Sequence, residues 1–150
     1  MAVLHEQGFR APDARRIAGI TYRQLDYWTR TGLVTPSVRD AHGSGTQRLY
    51  SFQDLATLRV IKNLLDTGLT LQRVRKAVSH LRRMDRPPHG VTLMSDGRGV
   101  YEAHSPEAVV DLLKNGQGVF AISLDRVWSD VEDSIGKTRR RPSRAAAGGS

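Results

Sequence analysis

The pair Pro87-Pro88, followed by His89-Gly90, divides this chain of 150 residues into two short parts. Proline lacks a backbone N–H, clashes with the preceding helical turn and biases the residue before it towards extended structure. A helix that approaches the pair from the N-terminal side must therefore end before it. The sequence predicts one unit over residues 1–86 and a second, smaller unit that begins near residue 91.

The distribution of charge separates the same two parts. Residues 1–86 carry 15 lysine and arginine residues against 7 acidic ones, whereas residues 87–136 carry 3 against 8. Residues 137–150 add five basic residues and no acidic one. A positive surface attracts the phosphate backbone of nucleic acids, and an acidic unit is repelled from it. We therefore expect the first unit to face nucleic acid and the second to face away from it or to bind something else.

The composition argues against several classes of function. The chain has no cysteine, which leaves no disulfide, thiolate zinc site or thiol redox switch, and its five histidines are scattered without paired metal-ligand spacing. No stretch approaches the roughly 20 apolar residues that span a bilayer, and the first residues lack the charged and apolar regions of a secretory signal. We expect a cytoplasmic protein without membrane contact, metal or cofactor.

Two short helices joined by a tight turn are predicted near the N-terminus. Pro12 suits a first helical turn, and Gly19 suits the end of that helix. Thr21 can cap a second helix over residues 22–31, which Gly32 ends. A unit of this kind places its second helix in the major groove of DNA.

A hairpin and two amphipathic helices are predicted next. The segments 33–38 and 48–50 flank a glycine-containing turn over residues 40–46, which indicates a hairpin, or wing. Ser51 can cap a third helix and Thr70 a fourth. Apolar residues recur at helical spacing along both: Leu55, Leu58, Ile61, Leu64 and Leu65 on the third, and Leu71, Val74, Val78 and Leu81 on the fourth. These residues should form the core beneath the first two helices.

Two ordered motifs resemble the mercury-resistance-regulator (MerR) family. Residues 20–36, ITYRQLDYWTRTGLVTP, are similar to its recognition helix and the strand that follows. RLYSFQDL at 48–55, with LRVI at 58–61 and GLTL at 68–71, is similar to its wing, third helix and fourth helix in the same order. Two motifs at compatible separation are far more specific than one. The resemblance covers residues 10–83 and implies a winged helix-turn-helix of a sequence-specific transcription regulator that binds double-stranded DNA.

The resemblance also implies which residues contact DNA. They are Arg16, Thr21, Tyr22, Arg23, Tyr27, Arg30, Arg48 and Tyr50, with Arg16 and Arg30 as secondary contacts and Arg48 on the wing beside the phosphates. Arg23 could make a bidentate contact to a guanine edge or hold a phosphate, and we favour the phosphate. Tyr27 fits the core and the interface equally well, whereas the core is the better interpretation for Trp28.

The second unit, residues 91–135, is predicted to contain two strands, a helix, a third strand and a last helix. Asp96-Gly97 between apolar runs indicates a hairpin, and Ser105-Pro106 indicates the start of a helix. The last helix, from Asp125, carries an apolar stripe of Val127, Trp128, Val131 and Ile135. The predicted fold class is therefore α+β: a mainly helical MerR-type winged helix-turn-helix, then a small β-β-α-β-α unit. Residues 137–150 are predicted to be a basic, disordered tail.

The second unit is small for independent folding, so we expect it to dock on the first unit, to pair with a copy of itself, or both. Three functions are open for it. MerR regulators typically dimerise through a long C-terminal helix, which Pro87-Pro88 interrupts here, so the chain either dimerises through residues 91–135 or binds DNA as a monomer or as repeated copies. Among the functions of the second unit a homodimer ranks first, with the apolar stripe and a strand edge as its surface. Recognition of RNA polymerase, a sigma factor or another protein is the second choice, because the acidic charge suits a basic partner. Small-molecule sensing comes last, because about 45 residues are too few to enclose a large pocket alone.

No active site is predicted. The acidic residues of the last helix, and Asp96, Glu102 and His104 around the hairpin, have no supporting catalytic motif. We expect a regulator and no enzyme. The alternative function is a protein–protein adaptor or an antitoxin-like protein that binds its partner through the second unit. The excess of arginine over lysine, with abundant alanine, glycine and valine, suits a bacterium of high GC content.

Overall fold

The computed structural model describes residues 8–38, 48–82, 90–96, 98–114 and 120–139. Its elements are α1 (Ala11–Ala18), α2 (Tyr22–Arg30), α3 (Phe52–Asp66), α4 (Leu71–Arg82), β1 (Thr92–Ser95), β2 (Val100–Ala103), α5 (Pro106–Lys114), β3 (Phe120–Ser123) and α6 (Leu124–Arg139). This mixture of helices and strands confirms the predicted α+β class and the order of elements in the second unit.

Local capping fixes the ends of the first helices. The Thr21 hydroxyl accepts a hydrogen bond from the Gln24 backbone N–H at 3.0 Å, and the Gln24 side chain accepts one from the Thr21 N–H at 3.0 Å. This capping box satisfies two N–H groups that a helix start leaves unpaired. Gly19 ends α1 with a φ of 74°, and Gly32 lies in the turn after α2 with a φ of 78°. Residues with a side chain disfavour these left-handed backbone angles. The turn between α1 and α2 is therefore short and well defined.

Long-range backbone contacts close the base of the wing. The Val38 N–H donates to the Leu49 carbonyl at 3.2 Å, and Phe9 pairs antiparallel with Tyr50. Buried Asp54 holds this base to α3, since its Oδ2 accepts from the Ser37 N–H at 2.7 Å. The predicted wing turn over residues 40–46 lies outside the described residues.

The second unit contains a three-stranded antiparallel sheet in the order β2-β1-β3. Leu93 of the central strand faces Glu102 on β2 and Ile122 on β3. The Asp96 carboxylate closes the β1–β2 hairpin by accepting from the N–H groups of Gly99 at 2.9 Å and Arg98 at 2.8 Å. These hydrogen bonds hold the pKa of Asp96 below its usual value, with Gly99 contributing most.

Helix α6 returns from the sheet and packs on α1 and α3 of the first unit. Its residues Val131 and Ile135 are fully buried, and the Trp128 ring meets the Phe52 ring edge-on at 5.8 Å. The apolar stripe that we expected to contact a second copy is therefore used inside one chain, and both units share one core. The structure also differs at the tail, because α6 continues to Arg139 where we expected disorder from residue 137. Residues 140–150 lie outside the described residues.

Candidate nucleic-acid interface

Helix α2 separates its residues cleanly between core and solvent. Leu25 and Trp28 are only 1% and 3% exposed, which confirms the core interpretation of Trp28. Tyr22 and Tyr27 are 51% and 45% exposed, so Tyr27 lies on the outer side of the helix. Apolar residues at a spacing of three pin α2 to the core and leave its opposite side free.

We define the polar face of α2 as the exposed residues Thr21, Tyr22, Arg23, Asp26, Tyr27 and Arg30. The spacing of three and four residues between the members from Tyr22 to Arg30 places those five along one side of the helix, and Thr21 lies at its N-cap. The Arg15 guanidinium of α1 lies 5.1 Å from the centre of the Tyr22 ring, within range of a cation–π interaction. Arg15 is not among the predicted DNA contacts, because its position over this ring depends on the packing of α1 against α2.

Asp26 joins the polar face of α2 to the wing. Its carboxylate accepts a hydrogen bond from Arg30 Nε at 2.8 Å and another from an Arg48 Nη at 3.2 Å. These bonds, first from Arg30 and then from Arg48, hold the pKa of Asp26 below its usual value. Asp26 was missed in the sequence, although its spacing of four residues from Arg30 is a known signal of a helical ion pair.

The remaining predicted cations flank this face. Arg16 on α1 is exposed and forms an ion pair with Asp13 in the preceding turn. The Arg48 side chain is 26% exposed at the foot of the wing. Arg23, Arg30 and Arg48 thus lie on or beside the polar face of α2, whereas Arg16 reaches solvent from the neighbouring helix.

Tyr50 contradicts our prediction of a DNA contact. The residue is fully buried, and its hydroxyl lies 2.9 Å from the Thr29 hydroxyl on the inner side of α2. Burial raises the pKa of the Tyr50 phenol. The sequence placed Tyr50 with Arg48 on the wing, and no local pattern showed that its backbone pairs with Phe9 and that its ring packs in the core. Tyr50 therefore supports α2 from the core.

Two arginines from later helices anchor the ends of α1 and α2. Arg59 of α3 donates to the Ile17 carbonyl at 2.7 Å, and Arg75 of α4 donates to the Thr31 carbonyl at 3.1 Å. Helix C-termini leave carbonyls unpaired, and cations there interact favourably with the helix dipole. Sequence reasoning missed both, because a lone arginine on an amphipathic helix does not identify a partner more than 40 positions away.

Two of the three titratable residues noted around the hairpin, Glu102 and His104, lie close together in the structure. Glu102 Oε1 on β2 lies 2.7 Å from His80 Nε2 on α4, and Glu102 Oε2 lies 3.5 Å from His104 Nε2. Across the described ranges, no group of three or more histidine and acidic side chains is arranged to hold a metal ion. In the same ranges, no helix is long and apolar enough to cross a membrane.

The geometry of α1, α2 and the wing base agrees with a known family. The family described as MerR HTH family regulatory protein matches residues 9–81. Residues 9–81 are a MerR-family helix-turn-helix domain. This MerR-type domain contains α1 to α3, α4 as far as Leu81, and every predicted DNA-binding residue.

Individual relatives extend the comparison beyond the MerR-type domain. An uncharacterized HTH-type transcriptional regulator of Mycobacterium tuberculosis is 58% identical over 129 residues, which are 85% of this chain and 57% of that protein. A Mycobacterium bovis protein with the same description gives the same values. The HTH-type transcriptional regulator HmrR of Sinorhizobium medicae is 27% identical over 74 residues, 49% of this chain and 48% of HmrR. The chain thus spans little more than half the length of its mycobacterial relatives, and its similarity to them includes residues outside the MerR-type domain.

Proposed function

We propose that this protein is a DNA-binding transcriptional regulator that places α2 in the major groove and the wing on the phosphate backbone. The observation that carries the proposal is the polar face of α2, which is exposed beside Arg48 at the foot of the wing. A B-form major groove admits one α-helix, and helix-turn-helix proteins read base edges with the start of their second helix. The MerR family match and the names of the relatives support the same function, which is typically not enzymatic.

The proposed contacts divide into two kinds. Thr21, Tyr22 and Arg23 lie at the start of α2, where base edges come within reach. The Arg23 side chain has no hydrogen-bonding partner among the described residues, so it is available to a phosphate or a guanine. Arg30 and Arg48 are held by Asp26 in the free protein and are proposed to contact phosphates, which position a protein without specifying sequence.

We also propose that two copies associate through residues 91–135 while residues 1–86 bind DNA. Because the stripe on α6 is buried in its own chain, the pairing surface must lie elsewhere in the second unit. Val110 on α5 is 47% exposed, and β3 is an edge strand of the described sheet. Edge strands offer unpaired backbone groups to a second copy.

The acidic side of α6 supports a further proposal, a protein partner. Glu132 and Asp133 are exposed there and suit a basic surface on RNA polymerase or a sigma factor. A regulator of this kind acts on chromosomal DNA, so we place it in the cytoplasm at the nucleoid.

The test is selection of bound fragments from a genomic DNA pool, with competitor DNA present and protein mass measured in the same buffer. Arg23→Ala removes an arginine from the polar face of α2, and Arg126→Ala removes a 79% exposed arginine from α6 as the matched control. We expect selective enrichment by the wild type and by Arg126→Ala, a loss of about tenfold or more in affinity for Arg23→Ala, and a dimer mass.

Enrichment no better than that of competitor DNA would overturn the proposed function and favour the adaptor. A monomer mass with intact enrichment would overturn only the homodimer.

A further inference from the structure

A cleft of about 440 Å³ lies between α4 and the β1–β2 hairpin. Its apolar lining comes from both units, with Ala77 and Leu81 on α4 and Leu93 and Val100 on the hairpin. These side chains are buried or half-buried, whereas the charged lining residues of the cleft are mostly exposed. The cleft therefore combines an apolar floor with a charged mouth, which is the usual design of a small-molecule site.

The mouth of the cleft is positively charged. Arg73, Lys76 and Arg98 line it, and no carboxylate of the described residues lies within ion-pair distance of any of them. Glu102 is the one acidic residue of the described lining, with its Oε1 2.7 Å from His80 Nε2, so the three cations outnumber it. A cationic mouth over an apolar floor attracts a ligand with the opposite charge at one end.

The Arg73 guanidinium draws the two walls of the cleft together, because it donates a hydrogen bond to the Arg98 carbonyl. Arg73 belongs to α4 of the MerR-type domain, and Arg98 belongs to the hairpin of the second unit. The mouth of the cleft therefore contains cations from both units, and an anion bound between them would contact both at once.

We propose that this cleft binds an amphipathic anion, a molecule with an apolar body and a carboxylate or phosphate head. The volume lies within the range of about 300 to 1,000 Å³ that such sites occupy. In the sequence, small-molecule sensing ranked last because the second unit is too short to enclose a large pocket alone. The structure removes this objection, since α4 supplies the other wall.

The cleft is connected to the DNA-binding face through α4. Arg73 and Lys76 point to the cleft, while Arg75 between them donates to the Thr31 carbonyl at the end of α2. A ligand that binds one position of α4 more tightly than another favours that position. Because Arg75 moves with α4, the ligand then changes how Arg75 holds the end of α2. This regulatory step rests on the proposed function, whereas ligand binding itself does not.

The test uses decanoate and decyl phosphate as probes, below their critical micelle concentrations, with binding measured by calorimetry. Decanol and decyltrimethylammonium supply the same apolar body with a neutral and a cationic head. Lys76→Glu reverses one cation of the mouth, and Lys137→Glu makes the same change at an exposed position on α6. We expect saturable binding of both anions, weakened about tenfold or more in Lys76→Glu and unchanged in Lys137→Glu, because one charged contact contributes at least that factor.

Equal binding of the cationic probe, or equal loss in both variants, would overturn the site. The same variants are then tested for DNA affinity with and without saturating decanoate. A change in DNA affinity for the wild type that is absent in Lys76→Glu supports the regulatory step, and no change overturns it. Failure to bind DNA without any probe would count against the proposed function and leave the ligand site standing on the calorimetry.

Discussion

Asp26 is the acidic residue on the polar face of α2, and it lies between the two arginines that we propose for phosphate contacts. A carboxylate at a DNA-facing surface repels phosphates, yet this one also fixes the positions of Arg30 and Arg48. All three side chains are solvent-exposed to some degree, so water and salt screen the pairs and leave them easy to exchange for phosphates. Asp26 is therefore expected to hold the arginines in the free protein and to limit affinity for DNA.

Replacing Asp26 with asparagine should strengthen DNA binding severalfold at low salt. The change removes one negative charge near the phosphates and releases both arginines, and the slope of log affinity against log salt should steepen by up to about 0.9. Binding is measured by fluorescence anisotropy over a range of salt concentrations. Asp66→Asn, which removes an exposed carboxylate paired with Lys62 on α3, serves as the control. Weaker binding of Asp26→Asn would contradict this account and show that positioning outweighs repulsion.

The ionisation of Asp26 gives an independent test of the same contacts. Because the folded pKa is lowered, the ion pairs stabilise the fold above the unfolded pKa of about 3.9, and this contribution is lost as pH falls through the folded pKa. A titration followed by carboxyl ¹³C NMR should give a midpoint below that of aspartate in the denatured chain. Arg30→Ala should raise the midpoint more than Arg48→Ala, following the order of the two hydrogen bonds. A midpoint equal to that of the denatured chain would show that the contacts are absent in solution.

Tyr50 is expected to act on stability and to leave DNA affinity unchanged. Tyr50→Phe keeps the buried ring and removes the hydroxyl that lies 2.9 Å from Thr29. The loss of one part-buried hydrogen bond should lower the free energy of unfolding by about 1 kcal/mol, measured in urea. Anisotropy with the selected DNA should show the same affinity as the wild type. A clear loss of affinity at full stability would return Tyr50 to the DNA-contact set.

Helix starts and the hairpin were predicted from the sequence, because they depend on residues close together in the chain. Thr21 and Ser51 begin their helices as expected, because a capping side chain and its backbone partner are three residues apart. The hairpin at Asp96 formed for the same reason. The bridge between Phe9 and Tyr50 was not predicted, because it joins residues far apart in the chain whose pairing no local pattern identifies. Docking of the second unit on the first was one of the predicted alternatives, but the helices that α6 contacts could not be read from its own pattern.

The docking of α6 makes Trp128 a test of the junction between the units. Its ring meets Phe52 of α3, while its indole Nε1 is buried without a hydrogen-bonding partner among the described residues. Trp128→Ala should lower the free energy of unfolding by about 3 kcal/mol through the cavity it leaves. Trp128→Phe keeps an aromatic ring and removes the unsatisfied donor, so it should cost less than about 1.5 kcal/mol. Equal losses in urea denaturation would mean that the indole N–H has a partner and that the ring packing is not the main contribution.

Charge and packing together explain which side of the second unit contacts the MerR-type domain and which side faces solvent. The acidic second unit packs against the MerR-type domain through the apolar side of α6, while exposed acidic residues such as Glu132 and Asp133 remain in solvent. The sequence predicted the two charge regimes and the apolar stripe. The sequence left open whether the apolar stripe would pack against its own chain or against a second copy. The hydrophobic effect favours burial of this surface equally in both arrangements.

The shared core also predicts how the chain responds to truncation. Val127, Val131 and Ile135 are each no more than 4% exposed, and their burial contributes roughly 5 kcal/mol, comparable to the whole stability of a small domain. A fragment of residues 1–86 leaves the surfaces of α1 and α3 that α6 covers open to water. It should melt far below the full chain, or not fold, when followed by circular dichroism. A fragment of residues 1–139 retains α6 and should melt with the full chain in one transition. If residues 1–86 melted at the temperature of the full chain, the MerR-type domain would be independent of α6, and the second unit would have to influence DNA binding through the cleft and the contacts of α4 alone.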